Sequence, residues 1–209
     1  MRTLQERIEY LKQEHRRVYG DDGRDLKTVI SPFRVCPLGA HIDHQLGMVT
    51  GIALENAILL VFAPNTSGGV NLRSLNYPGD VSIPLNGKYE RIFDWGDYAR
   101  GAAFALARFH PLEKGFDGII EGDLPVGGLS SSAAVGVAYL LALESVNGLD
   151  TSDEDNIELD RIIENDFIGL NNGILDQAVI LLHRRDSLLF MDCRHGNYDR
   201  IEKPPSTPP

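Results

Sequence analysis

The sequence predicts an α+β fold, and three observations point there. Strand-like segments crowd the first half of the chain and helix-like segments the second. Apolar residues make up 43% of the 209 residues, enough to build a core rather than a disordered chain. No repeat period stands out that would suggest a solenoid.

The elements follow in order. Leu4, Ile8, Leu11 and Val18 recur near a 3.6-residue period, which predicts an amphipathic helix over residues 3–18, closed by "GDDGRD". "KTVISPFRV" reads as a strand. "MVTGIAL" and "AILLVFAP" read as two more, with the polar pair Glu55 and Asn56 as the turn between them. "GVNLRSLNY" alternates in polarity and reads as a strand. The Ala-rich stretch 97–109 reads as a helix. "FDGIIEGDLP" is a strand leading into the helix "SSSAAVGVAYLLALESVNG". "SDEDNIELDRIIENDFIG" opens on a serine and an acidic first turn, as a helix N-terminus does. "GILDQAVILLH" is a further helix and "SLLFMDCR" a final strand. The domain is expected over residues 1–200, and the proline-rich residues 201–209 are expected to be a disordered tail.

Charge and composition exclude several functions. The net charge of −10 disfavours a nucleic-acid partner, which wants a basic face. Cys36 and Cys193 lie far apart, so no disulfide framework is expected and a reducing, cytoplasmic setting is the default. The charged N-terminus lacks the apolar run of a secretory signal, and no stretch approaches the length of a membrane span.

Three stretches carry chemistry. The first is "RVCPLGAHIDH", residues 34–44, which sets one Arg, one Asp and two His around a small apolar centre. His41, Asp43 and His44 read as a metal site only weakly, because the spacing does not fit one helical face and no later cluster completes a tetrahedron. Arg34 alone is compatible with a surface position on an edge strand. The third reading is a small-ligand site in which Arg34 supplies charge and Asp43 accepts hydrogen bonds from hydroxyls.

The second stretch is residues 122–143, "GDLPVGGLSSSAAVGVAYLLAL". A strand runs into Pro125, then Gly127 and Gly128, then three serines and a helix. Glycines let backbone approach a ligand, and a helix start offers unpaired N–H groups and the positive end of its dipole. A serine there caps the helix or ligates Mg2+. This is the physics of a phosphate cradle, although no Walker lysine follows and a capped helix after an ordinary turn has the same pattern. The third stretch places Glu164 and Asp176 on successive helices, joined by "FIGLNNG". A Mg2+–ATP kinase needs two carboxylates, one for the metal and one for the attacking hydroxyl. The run 153–166 is rich in acids, however, and most of them must face solvent.

Together these stretches resemble the GHMP kinase superfamily and its galactokinase-like branch. "RVCPLGAHIDHQLGMV" is similar to the branch's sugar motif, "LPVGGLSSSAA" to its ATP motif, and "ENDFIGLNNGILDQ" to its Glu-to-Asp segment, in the family's order from about residue 28 to 194. The resemblance implies an N-terminal α+β domain with a mixed sheet and a left-handed βαβ unit, and the cofactors ATP and Mg2+. Asp176 would face the anomeric hydroxyl as base or orienting group, with Arg34 stabilising its charge and that of the phosphoryl group. Pro125, Gly127, Gly128, Leu129, Ser130, Ser131, Ser132 and Ala133 would wrap the phosphates. Ser132 and Glu164 would ligate Mg2+. Ala40, His41, Asp43, His44, Asn172 and Gly173 would form the sugar site. The chain departs from the pattern in two ways. Its ATP loop is one residue short, and it stops well before the family's second domain, so it is expected to be an N-terminal portion.

Ala40 stands where galactokinases carry a Glu that binds the C6 hydroxyl. If C6 is a carboxylate, a Glu there would repel it by about 4 kcal/mol at 4 Å and an effective dielectric near 20. The segment "CPLGAHIDHQ" thereby resembles the galacturonokinases, which phosphorylate D-galacturonate at O1. His44, where the motif usually has Tyr, adds a donor or partial positive charge. A galactokinase, a kinase for another uronic acid, and a sugar- and ATP-binding protein without turnover remain the alternatives.

Overall fold

The structure is a computed structural model, and it describes residues 2–122 and 130–204. The chain runs α1 (Leu4–Tyr19), β1 (Lys27–Val35), β2 (Met48–Pro64), β3 (Gly69–Ser74), β4 (Asp80–Pro84), α2 (Asp97–Ala107), β5 (Phe116–Gly122), α3 (Ser131–Asn147), α4 (Asp153–Ile162), a π-helical turn (Ile163–Ile168), α5 (Leu175–Leu182), β6 (Ser187–Asp192) and β7 (Asn197–Glu202). The strands form one mixed sheet in the order β4-β3-β5-β2-β6-β7, with β1 also paired to β2. Strands β3 and β5 are parallel and are connected through β4 and α2; the other pairs are antiparallel. The α+β expectation holds, with helices on both faces of the sheet.

The centre of β2 explains the layering. Residues 57–63 are all buried, so the strand shows no alternation of polar and apolar residues. Ile58, Leu60 and Phe62 join the core built with α2 and α3, including Leu106, Val137 and Leu140. Ala57, Leu59 and Val61 face the other way, against Ile8 and Leu11 of α1. Helix α1 is fixed at its start by a capping box between Thr3 and Glu6. Ser152 caps α4 by accepting from the Asp155 N–H, as its acidic first turn predicts.

One element departs from expectation in a way that shapes the site. Residues 48–64 are a single strand, not two strands joined by a turn at Glu55 and Asn56. Pro32 faces Ala57 and Arg34 faces Ala53, so two steps along β1 match four along β2. The polar pair lies in a bulge, where extra residues bend a strand without ending it. Beyond this bend, residues 58–64 pair with β5 and residues 48–51 with β6. Arg34 therefore emerges at the corner where the two halves of the sheet diverge.

Two strands are additional to the sequence reading. β4 is only five residues long, and its inward residues are Val81 and Ile83. β7 is polar and lies at the sheet edge. Its Ile201 and Glu202, which the sequence assigns to the tail, pair with Leu188 and Ser187. Among the described residues no helix is long and apolar enough to cross a membrane.

Candidate active site

Two cavities meet at the N-terminus of α3. The first, of about 600 Å³, is lined by Arg34, Val35 and Cys36 of β1 and the following residue, by Ala40, His41, Asp43 and His44 of the turn before β2, by Ser130 and Ser132, and by Asn171, Asn172, Gly173, Leu175 and Asp176. It collects every residue of the expected sugar site together with both expected catalytic residues. The second, of about 980 Å³, is mostly aromatic and aliphatic, with Phe33, Tyr77, Phe93, Trp95, Tyr98 and Tyr139 among its walls and Ser131 and Ser132 at its edge. Ser132 borders both.

Asp176 stands in the first turn of α5 and is bound from two sides. The Arg34 Nε donates to its Oδ1 at 2.6 Å, and Arg34 Nη2 lies 2.5 Å from the same oxygen. The Ser130 hydroxyl donates to its Oδ2. Helix α5 reaches this place because Gly51 lets Val179 sit directly against β2; a Cβ at Gly51 would overlap the Val179 methyl. Ser130 occupies the N-cap position of α3 in the left-handed region, at φ 56°, and makes no side-chain cap. Its hydroxyl serves Asp176 instead, a contact that spans 46 residues of sequence.

The turn that follows β1 is equally well held. Leu38 N–H donates to Thr50 Oγ1 at 3.0 Å, and Thr50 N–H to Leu38 O at 2.9 Å, tying its start to β2. The Asp43 carboxylate accepts the Leu175 N–H at 3.1 Å, which ties the turn to α5. Gly173 lies so close that a Cβ would overlap Asp43 Oδ2 and stand 2.8 Å from the His44 nitrogen. His41 has a positive φ of 65°. His44 Nδ1 lies 3.6 Å from Asp43 Oδ1.

Glu164 is fully buried in the π-helical turn and lines neither cavity. Asn172, on the wall of the first cavity, donates to its Oε2 at 2.9 Å, while its Oε1 makes no hydrogen bond. Burial pushes the Glu164 carboxyl above its usual range, and Asn172 and the nearby Ser132 oppose that shift. One turn earlier Asp160 is also fully buried with both oxygens unpaired; desolvation pushes its carboxyl far up, and the charges of Glu164 and Asp176 add to the shift. Tyr98 is pushed up to about 12, first by burial and then by the Glu164 charge. These residues form a carboxyl-rich core behind the cavities.

Of the other expected residues, Ala133 is fully buried and lines neither cavity. Pro125, Gly127, Gly128 and Leu129 lie outside the described residues. The sequence reading missed Cys36, Asn171 and Leu175, although each adjoins a motif it used. It also missed the second cavity, whose walls come from separate stretches with no shared pattern.

The model of the GHMP kinases N terminal domain matches residues 97–184, and the sheet and helix placement are those of this domain's fold. The chain is 42% identical to a galacturonokinase of Arabidopsis thaliana over 93% of its own length and 50% of the relative's. It is 35% identical to a galactokinase of Clostridium tetani, over 91% of this chain and 49% of that one. The galactokinase of Lactococcus lactis, solved in complex with galactose, superimposes with a TM-score of 0.86 at 27% identity, covering 91% of this chain and 50% of that chain. The mevalonate kinase of Methanococcus jannaschii, at 17% identity and a TM-score of 0.73, shares the fold. The chain spans about half the length of the curated relatives it matches.

Proposed function

We propose that this chain forms the sugar- and nucleotide-binding half of an ATP-dependent sugar-1-kinase, and that its sugar is D-galacturonate. The observation that carries the reading is the junction at Ser132: a polar cavity holding the Arg34–Asp176 pair opens beside an aromatic one. The aromatic cavity suits a purine ring, and the start of α3 suits its phosphates. In the polar cavity Asp176 takes the proton of the anomeric hydroxyl as the O1–phosphorus bond forms. The bond between the γ-phosphorus and the bridging oxygen breaks, and ADP leaves with that oxygen. Arg34 orients Asp176 through its Nε and Nη2, and faces the charge of the transferring group.

Magnesium fits the residues present. It favours one or two carboxylates plus phosphate oxygens, and Glu164 offers a buried oxygen without a partner close to Ser132. When bound, the ion neutralises phosphate charge. Glu164 and Ser132 would hold it, and Asn172 would keep Glu164 in place through Oε2.

The choice of galacturonate is supported by Ala40 on the cavity wall, where a carboxylate side chain would repel an acidic sugar. The 42% identity to a galacturonokinase is in keeping with it. The competing reading is a galactokinase, favoured by the resemblance to the galactose-bound structure. Incubating the chain with ATP, Mg2+ and separate sugars, and measuring ADP release and sugar 1-phosphate, tests both. ADP formed with galacturonate and not with galactose is the expected result. Turnover of galactose alone overturns the substrate assignment.

A further inference from the structure

We propose that His44 is the specificity-determining residue that pairs with the carboxylate of an acidic sugar; this rests on the sugar-kinase reading above. The ionisable side chains lining the first cavity are Arg34 and Cys36 from β1 and the residue after it, His41, Asp43 and His44 from the turn, and Asp176 from α5. Arg34 is committed to Asp176. The Cys36 thiol is pushed up by burial and stays neutral. Apart from Arg34, no lysine or arginine among the described residues lines the cavity to oppose Asp43. With neutral imidazoles the lining therefore carries one net negative charge, and an acidic sugar would add a second. Among the described lining residues, only the two imidazoles are able to supply the missing positive charge.

The geometry selects His44 over His41. Asp43 Oδ1 lies 3.6 Å from His44 Nδ1, so the two form an ion pair whenever the ring carries a proton. Asp43 is itself held by the Leu175 N–H through its other oxygen, so its charge is fixed in place. The His44 side chain is 45% exposed, which leaves its far edge open to a ligand. At that edge Nε2 sits 3.3 Å from the Gln45 amide nitrogen. The contact is a hydrogen bond when His44 is neutral and accepts. When His44 is protonated, two donors face each other and the Gln45 amide gives way, freeing Nε2–H for a carboxylate oxygen. His44 thus carries Asp43 on one nitrogen and the sugar acid on the other. Ala40, four residues earlier on the same wall, leaves room for the second oxygen.

The sign follows from linkage. Pairing with a carboxylate favours the protonated ring, so galacturonate is expected to bind more tightly at lower pH. The sugar acid stays ionised throughout the range from pH 5.5 to 8, and galactose carries no charge to respond.

The test is calorimetric titration of the chain with D-galacturonate and with D-galactose at pH 5.5 and 8, for the wild type, His44→Gln and His44→Arg. The imidazole proton resonance of wild-type His44 is followed with each sugar. Galacturonate affinity should fall about tenfold between the two pH values in the wild type. It should be weak at both in His44→Gln, and strong and flat with pH in His44→Arg. Galacturonate, and not galactose, should shift the His44 titration upward. Preferential galacturonate binding that His44→Gln leaves intact, or a His44 resonance indifferent to galacturonate, overturns the role of His44 and leaves the sugar-kinase reading standing. Binding of galactose alone, or of neither sugar, overturns both.

Discussion

Arg34 and Asp176 are 142 residues apart in sequence, yet the Arg34 Nε and Nη2 both converge on one oxygen of the Asp176 carboxylate. The pair is mostly buried, with side chains 16% and 22% exposed. It joins the bulged corner of β1 to the first turn of α5, so it serves the fold as well as the chemistry. Arg34→Met removes the cation and leaves the carboxylate with the Ser130 hydroxyl as its hydrogen-bond donor among the described residues. The expected loss of stability is about 2 kcal/mol, less than the 3–5 kcal/mol of a fully buried pair because solvent reaches both groups. With the proposed role of this guanidinium facing the transferring phosphoryl group, turnover should fall by about a thousandfold or more. Urea unfolding and ADP release read the two losses separately. Asp176→Asn should lose turnover while keeping most of the stability, because the amide oxygen still accepts from Arg34.

Ala40→Glu tests the substrate. In the proposed sugar pose a carboxylate on that wall faces C6, so the ratio of kcat/KM for galacturonate over galactose should fall by tenfold or more. The Coulomb estimate of about 4 kcal/mol is the upper bound for rigid groups. An unchanged ratio would mean that Ala40 does not face C6, and the case for an acidic substrate would lose its support from this position.

Gly173 tests the seam between the sugar turn and α5. A Cβ there overlaps Asp43 Oδ2, so Gly173→Ala must push Asp43 away from the Leu175 N–H. Sugar affinity should drop about tenfold with the loss of one charge-assisted hydrogen bond, while nucleotide binding in the cavity proposed for it, on the far side of Ser132, should be unchanged. Separate titrations with sugar and with ATP distinguish this from general unfolding, which weakens both.

How far the site was legible depends on whether its residues lie together in sequence. The turn from Ala40 to His44 and the serines before α3 are contiguous, so residue types and spacing suffice to place them. The pairing of Ser130 with Asp176 is not legible, because a serine before a helix reads as its cap and nothing local marks a left-handed N-cap that points elsewhere. The aromatic cavity is not legible either: Trp95 and Tyr98 lie at the start of α2, while Phe33 is on β1 and Tyr139 on α3. In the fold, the centre of β2 is buried on both faces, so an unbroken apolar run gives no period. Its two polar residues then look like a turn when they are a bulge. Strand β7 carries the polar sequence of an edge strand, which a hydrophobicity pattern passes over.

Glu144 gives a prediction on stability that is independent of the active site. It lies near the end of α3, 6% exposed, where Asn156 of α4 donates to its Oε2 at 3.3 Å and its Oε1 has no partner. Burial pushes its carboxyl up to about 7 from 4.5, and the hydrogen bond from Asn156 and the nearby Thr151 hydroxyl only partly oppose this. Because the folded state holds the proton more tightly, it binds more protons than the unfolded chain between those values. Stability therefore falls as pH rises from 4.5 to 7 and levels off above. At about 1.4 kcal/mol per pH unit, reduced for partial solvation, the loss is on the order of 2–3 kcal/mol. Glu144→Gln keeps an acceptor for Asn156 and never ionises, so it should unfold at higher urea than the wild type at pH 8 and at nearly the same urea at pH 4.5. Equal midpoints at both pH values would place the Glu144 carboxyl in its ordinary range and remove the burial argument.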